Sequence, residues 1–340
     1  MTDIPFPEHI VYDVIFQRYW CKKCKKLVRG EVPWLPSNKP FGPVVTSLIV
    51  YHRMLGLSIN KIRSSLYETF KIVMSEATIL ALEKWVADTL KDDYKKLHDD
   101  IVKADVVNAD ETGFRIDGKN SWLWVFTSTI GSYYKVAPTR GHTVPKETLK
   151  GFNGVLGRDA WKPYDVVKCA GHQLDLLHVN RWLERAEIKH KIEPRTLLTS
   201  KPAKFTKPGR PPGKFLEFVD GIRSILKRAI EYTENDPPPS MEERKKACTG
   251  FQEEMKLLLD RKWVDKDVPW HNNDAERAIR QGVYYRKISG DRMTWTGTEV
   301  FEVILSIYET SKKRGQGFME MIQKRLGQSS ESEFQNDAAS

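Results

Sequence analysis

Two short apolar runs in this chain close on acids. "DVVNAD" reads as a strand ending at Asp110, with Glu111 directly after it, and "GVLGRD" reads as a second strand ending at Asp159. In open α/β sheets, working groups gather beyond the carboxyl ends of strands. If the two strands are parallel neighbours, their aspartates stand side by side. Two carboxylates that close repel each other, and a bridging cation removes that cost. A hard, oxygen-ligated ion such as Mg²⁺ suits them. With a third acid, two ions about 3.5–4 Å apart can activate an attacking oxygen and stabilise a leaving one in phosphoryl chemistry.

Glu276, in "HNNDAERAIRQGVYYRKISG", is the candidate third acid. That stretch opens a helix, with Asn272 or Asn273 as its N-cap. Each acid also has a structural reading. With Asn273 as N-cap, Glu276 falls at N3 and can close a capping box. It can also pair with Arg280 one turn on. Asp110 and Glu111 can be turn residues, and Asp159 a loop acid. Taken one at a time, the structural readings win; the combination of three acids favours chemistry.

The elements that must position these acids follow from pattern. "NSWLWVFTST" and "SYYKVAP" are two further strands with a turn at Gly131, "HTVPKETLKGF" is a short helix, and "YDVVKCAGH" is a fifth strand. The Trp122 and Trp124 side chains share parity and hence one face of their strand, where they pack the core. Before this α/β segment, residues 43–98 are helical. Ile59, Ile62, Leu66 and Phe70 recur at helical spacing, and Ser75 is the N-cap of the next helix. The two helices are a candidate helix-turn-helix or an ordinary helical hairpin.

Residues 1–42 are a β-rich opening segment carrying the pair Cys21 and Cys24. Residues 173–262 are mainly helical and strongly charged. From Lys189 to Lys214 there are eight Lys/Arg and one acid, Glu193. The part "KPAKFTKPGRPPGK" has no period and reads as an extended loop. Residues 272–326 return to helix, with "RKISG" and "TWTGT" as turns. The polar tail 327–340 reads as disordered.

Composition sets outer limits. A net charge of +10 over 340 residues favours an anionic partner, and nucleic acid is the commonest. The longest apolar run, "VVTSLIVY", is too short to cross a bilayer, and the first residues lack the pattern of a signal peptide. Four cysteines are too few for a disulfide scaffold. A cytoplasmic protein, with no membrane partner, is expected.

The motifs "ADETGFRIDGKNSWLWVFTS", "GVLGRDAW", "CAGH", "NNDAERAIR" and "RKISG" occur in this order. Together they resemble the insertion-sequence-66 family of prokaryotic transposases. The resemblance implies a DDE transposase with an RNase H-like core, an α/β mixed sheet flanked by helices, built from residues 99–172 and 263–326. Residues 173–262 would be a helical insertion between the second Asp and the Glu. It implies that Asp110, Asp159 and Glu276 are the catalytic acids and hold Mg²⁺ or Mn²⁺. It also implies that the strands carrying the two aspartates lie side by side. The implied reaction is hydrolysis at the element ends, then attack of the freed 3′-OH on target DNA. The implied partners are double-stranded DNA, a second copy of the chain on that DNA, and accessory proteins, at the nucleoid. Arg277, Arg280, Arg286 and Lys287 are candidate phosphate contacts or a solvated helix face. Lys204, Lys207 and Arg210 are a candidate DNA grip or a charged linker.

The sequence departs from the family pattern in three places. Around the second aspartate the family has a Ser-Asp-Gly-Tyr type motif; here Ala160 replaces the glycine and Trp161 the aromatic. Arg158 adds a positive charge that could bind phosphate or weaken metal binding. Cys21 and Cys24 are half of a four-ligand zinc set, and no zinc is expected. Cys169 and His172 match the family's Cys-x₂-His element and read as structural. The family's N-terminal DNA-binding or oligomerising region is also missing from the expected pattern. These departures motivate a second reading: a degenerate or domesticated relative that binds DNA without cutting it.

Overall fold

The computed structural model describes residues 9–12, 15, 17–29, 40–159, 161–189, 193, 219–225, 227–228, 231, 272–289 and 294–337. The basic loop with Lys204, Lys207 and Arg210 lies outside them, as does Cys248. Two compact units divide the chain. One comprises residues 1–97, 114–120 and 281–340, and the other residues 98–113 and 121–280.

The second unit is built on a five-stranded sheet, so the fold is α/β and RNase H-like in its mixed sheet. Following a two-stranded hairpin, β1 (Arg18–Cys21) and β2 (Lys26–Arg29), the strands are β3 (Val106–Ile116), β4 (Lys119–Thr127), β5 (Ser132–Ala137), β6 (Val155–Arg158) and β7 (Gly171–Leu174). Their order across the sheet is β5-β4-β3-β6-β7. β4 and β5 are antiparallel, while β3, β6 and β7 are parallel. The aspartate-bearing strands are therefore neighbours, as the resemblance implies.

Two glycines make the β3–β6 approach possible. A Cβ at Gly154 would stand 2.2 Å from the Asp105 carbonyl oxygen, and one at Gly157 would stand 2.0 Å from Asn108 Oδ1. Neither position has room for a side chain. β4 and β5 carry the buried aromatic floor, with Trp124, Phe126 and Tyr134 fully enclosed. Tyr164 meets the Trp124 ring edge-on at 5.8 Å.

Some elements differ from the pattern reading. β3 does not end at Asp110 but runs on to Ile116. Past the acids it stays beside β4, across a turn whose Asp117 and Gly118 have φ of 49° and 68°. "YDVV" is not a strand. Lys162–Val166 form a 3-10 turn, with Pro163 in its first turn and Tyr164 buried, and β7 starts only at Gly171.

The first unit is helical. Its helices are α1 (Pro43–Met54), α2 (Ile59–Phe70), α3 (Glu76–Thr89) and most of α4 (Lys91–Val102). In the other unit follow α5 (Thr143–Thr148) and α6 (Leu176–Lys189), then α7 (Asn273–Ser289), which starts there. α8 (Trp295–Lys313) and α9 (Phe318–Asp337) return to the first unit. Its core gathers Ile49, Ile62, Leu66, Met74, Ile79 and Leu82. α8 packs on α3, and α9 on α1, so the C-terminal helices cluster with the N-terminal ones. Ser75 caps α3 through the Thr78 N–H, as its position predicts. "TWTGT" opens α8, with Thr294 as its cap, rather than forming a free turn. The tail expected to be disordered continues α9 to Asp337. That segment has no proline and a single glycine, so helix started by packed Phe318, Ile322 and Leu326 can propagate. On α3, exposed Lys84 is paired with Asp88 at 2.6 Å, and Glu76 is also exposed. That face therefore carries no net positive charge. Among the described residues, no helix is long and apolar enough to cross a membrane.

Candidate active site: carboxylates beyond the parallel strands

The register of the parallel pair places the two aspartates level. Asn108 lies opposite Gly157, the last paired position of β3 with β6. Two residues further along each strand stand Asp110 and Asp159. Asp110 is largely buried, and Oδ1 accepts the Glu111 N–H at 2.8 Å. Burial pushes its carboxyl up to about 7, reinforced by the charges of Asp159, Glu111 and Glu276. Burial also raises Asp159. His178 opposes that shift, while Asp175, Glu111 and Glu276 add to it. The three acids read from the sequence thus act on one another electrostatically. A group of buried carboxylates of this kind is costly until a cation joins it.

Glu276 is held by its helix. The Glu276 N–H bonds the Asn272 carbonyl at 3.0 Å, so Asn272 is the N-cap and Glu276 stands at N4. A capping box needs N3, so that structural reading falls. No ion pair joins Glu276 to Arg280 among the described residues. Two buried bonds fix α7 on the sheet: Asn272 Nδ2 donates to the Ala109 carbonyl at 2.8 Å, and the Tyr134 hydroxyl donates to the Ala278 carbonyl at 2.7 Å. Ala275, Ala278 and Ile279 form the buried stripe of the same turns. Glu276 is half-buried beside that stripe, and Arg277 and Arg280 point to solvent. Lys287 is exposed and Arg286 half-buried.

Several residues of the site were not legible beforehand. Asp175 follows β7 directly, and His178 lies in the first turn of α6. His178 Nδ1 is 3.2 Å from Asp159 Oδ1 and 3.2 Å from Asp175 Oδ2. The ligand atoms of Asp159, Asp175 and His178 all lie within 4.8 Å of one another, a set able to hold a metal ion. The Arg181 guanidinium approaches the other ring nitrogen at 3.3 Å. The only earlier signal was the D-x-x-H spacing, which brings both side chains to the start of one helix.

Glu111 is not a spare turn acid. Its side chain is buried, and Arg140 donates to Oε1 through Nε at 2.9 Å and Nη2 at 2.7 Å. The Tyr164 hydroxyl donates to Oε2. The Arg140 guanidinium lies over the Trp122 ring at 4.7 Å and over the Trp161 ring at 4.2 Å. Trp122 is therefore half-buried against a cation, whereas Trp124 packs the core as expected.

Arg158 is also spoken for. It is buried, and its guanidinium donates to His172 Nδ1, to the carbonyls of Asp159 and Trp161, and to Asp165. It braces the loop after β6 rather than facing a phosphate. His172 Nε2 donates to the Val167 carbonyl at 3.1 Å, so both ring nitrogens are engaged. Cys169 Sγ donates to the Gly171 carbonyl. Both side chains are thus engaged in hydrogen bonds within the protein.

Cys21 ends β1, and Cys24 lies in the turn to β2, with Lys25 at φ 52°. The Cys24 N–H points at Cys21 Sγ at 3.5 Å. Hydrogen bonds from Cys24 pull the Cys21 thiol below its usual range. The two thiols share a turn but supply only half of a four-ligand set.

A mixed sheet with acids gathered where its parallel strands end defines an RNase H-like α/β protein. Residues 39–204 match the model of the transposase IS66 family, so that segment of the chain is similar to the family. It is also similar to an uncharacterized protein, y4jO, of Sinorhizobium fredii, with 30% identity over 129 residues. That likeness covers 32% of this chain and 40% of the relative, so it spans less than half of that protein's length.

Proposed function

We propose that the protein is a DDE transposase whose working acids are Asp110, Asp159 and Glu276. One observation carries the reading. The two aspartates stand level just past the last paired position of the parallel strands β3 and β6, while Asn272 ties the start of the Glu276 helix to the residue before Asp110. Electrostatics points the same way, because burial, and after it the charges of neighbouring acids, raise the pKa values of Asp110 and Asp159.

The donor set fits a divalent ion. Asp110, Asp159 and Glu276 would hold Mg²⁺ or Mn²⁺, with Asp175 and His178 beside Asp159. Bound there, such ions supply a nucleophilic oxygen at neutral pH and stabilise a leaving oxygen. The protein's own part is to hold the carboxylates charged and in place. Water attacks a phosphodiester at the element end, breaking the P–O3′ bond and freeing a 3′-OH. That hydroxyl then attacks a target phosphodiester, forming one P–O bond as another breaks. No covalent protein intermediate is required. Exposed Arg277, Arg280 and Lys287 follow Glu276 on its helix and would contact DNA phosphates. Two DNA ends must be joined to one target, so two copies of the chain would act together, at the nucleoid, with accessory proteins where needed.

The test uses DNA from both flanks of the gene, with Mg²⁺ or Mn²⁺, and compares the wild type with Asp110→Asn. End-specific cleavage or joining that drops by ~10⁴-fold in the variant supports the proposal. Binding without cleavage by the wild type overturns it in favour of a DNA-binding protein that no longer cuts.

A further inference from the structure

Trp161 stands two residues past Asp159, and 39% of its surface is open to solvent. A large aromatic left open is normally mobile or packed by a neighbour. This one is fixed from both ends. Arg158 Nη1 donates to the Trp161 carbonyl at 3.3 Å and to the Asp159 carbonyl at 3.2 Å, and Nη2 reaches Asp165 Oδ1 at 2.6 Å. The loop backbone is thus tied down by a buried guanidinium. The ring rests on a second guanidinium, that of Arg140, at 4.2 Å. Arg140 is backed by Trp122 and held by two bonds to buried Glu111, which Tyr164 grips in turn.

The result is a held π surface with one face on a cation and part of the ring open to solvent, close in sequence to the candidate catalytic Asp159. Two residues of chain separate it from Asp159 by at most ~7 Å. A nucleotide whose phosphate lies at Asp159 carries its base within comparable reach. Nucleobases stack on aromatic rings without regard to sequence, and a preformed ring loses little entropy on binding one. Inside a duplex, neighbouring bases cover both faces of each base, so an unpaired base is the one that can be drawn out to lie flat on the ring.

We propose that Trp161 is a stacking platform for an unpaired nucleobase beside the scissile phosphate. This rests on the DNA reading above and adds to it a preference for frayed or single-stranded ends. The structural alternative is that Trp161 only shields the Arg140–Glu111 pair from water.

The experiment measures binding of the full chain, at fixed salt, to a blunt duplex and to the same duplex with a short single-stranded tail. Wild type, Trp161→Ala and Trp161→Phe are compared, with thermal melting of each. The expected result is tighter binding of the tailed duplex by wild type, lost by ~10-fold in Trp161→Ala and largely restored in Trp161→Phe. Blunt-duplex affinity should stay the same in all three. Equal affinities of wild type and Trp161→Ala for tailed DNA overturn the platform and leave the DNA reading standing. So does a Trp161→Ala variant that melts early and weakens both duplexes alike, which marks Trp161 as a shield. Wild type that binds neither duplex overturns the DNA reading and the platform with it.

Discussion

The two halves of the sheet do different work. On one side of β3, β4 and β5 pair antiparallel over six positions and bury Trp124, Phe126 and Tyr134. On the other side, β6 and β7 are four-residue strands running parallel to β3. The buried polar residues Asn108, Arg158 and Gln173 lie on this side, with Asp175 directly after β7. The apolar half is long and supplies rigidity. The parallel half is short, so its strands release their ends together, and the acids collect where pairing stops. The two halves are joined through α7, which Tyr134 holds from β5 and Asn272 holds to β3. A site this dense in charge needs such a floor, because its own carboxylates push apart.

The contrast can be broken first at Gly157. Gly157→Val should destabilise the protein by roughly 3 kcal/mol, since its side chain must displace the buried Asn108 side chain. Chemical denaturation would measure this. A variant as stable as wild type would mean the parallel pair is looser than described.

Asn272→Ala is expected to cost about 1–3 kcal/mol, because the buried Ala109 carbonyl loses its donor. Its cleavage rate should fall further than its stability does, as the start of the Glu276 helix drifts. Equal rates in variant and wild type would detach α7 from the site.

Asp110 sharpens the comparison through pH. Its folded pKa, about 7, is raised above the ordinary 3.8. Between those values the folded state keeps a proton that the unfolded chain has lost. Stability from this group is therefore full below about pH 4 and is lost as pH rises to about 7. Without metal, Asp110→Asn should match wild type near pH 4 and be the more stable at pH 8, by ~1–3 kcal/mol. Melting curves at the two pH values decide it, and a wild type that is the more stable at pH 8 contradicts it. The smallest effect is expected at Arg280→Ala: affinity for DNA a few-fold lower, and the salt slope shallower by about one unit. An unchanged salt slope would assign Arg280 to the solvated helix face.

Much of the parallel half was legible. The apolar runs before Asp110 and Asp159, with Gly154 and Gly157 between them, carry their strand character locally. The Ser75 cap is equally local. What escaped depends on partners distant in sequence. β3 outruns Asp110 because β4 pairs with it. "YDVV" fails as a strand because Pro163 favours a tight turn and Tyr164 is drawn onto Trp124. Asp175, His178 and Arg140 gained their place only when β7, α6 and the loop after β5 converged on the acids. Glu276 looked like a cap residue because the pattern left Asn272 and Asn273 equal as N-caps, and the helix starts one residue earlier than the capping box requires.

The most direct measurement is titration of Mn²⁺ into metal-free protein, followed by calorimetry and by the electron spin resonance of the free ion. Wild type, Asp110→Asn, Asp159→Asn and a remote control, Lys84→Ala, would be compared. The account predicts that wild type and the control bind the ion and that both aspartate variants weaken binding by ~10-fold or more. Binding of equal strength in all four proteins would contradict it, because the acids gathered beyond the parallel strands would then not be holding the ion.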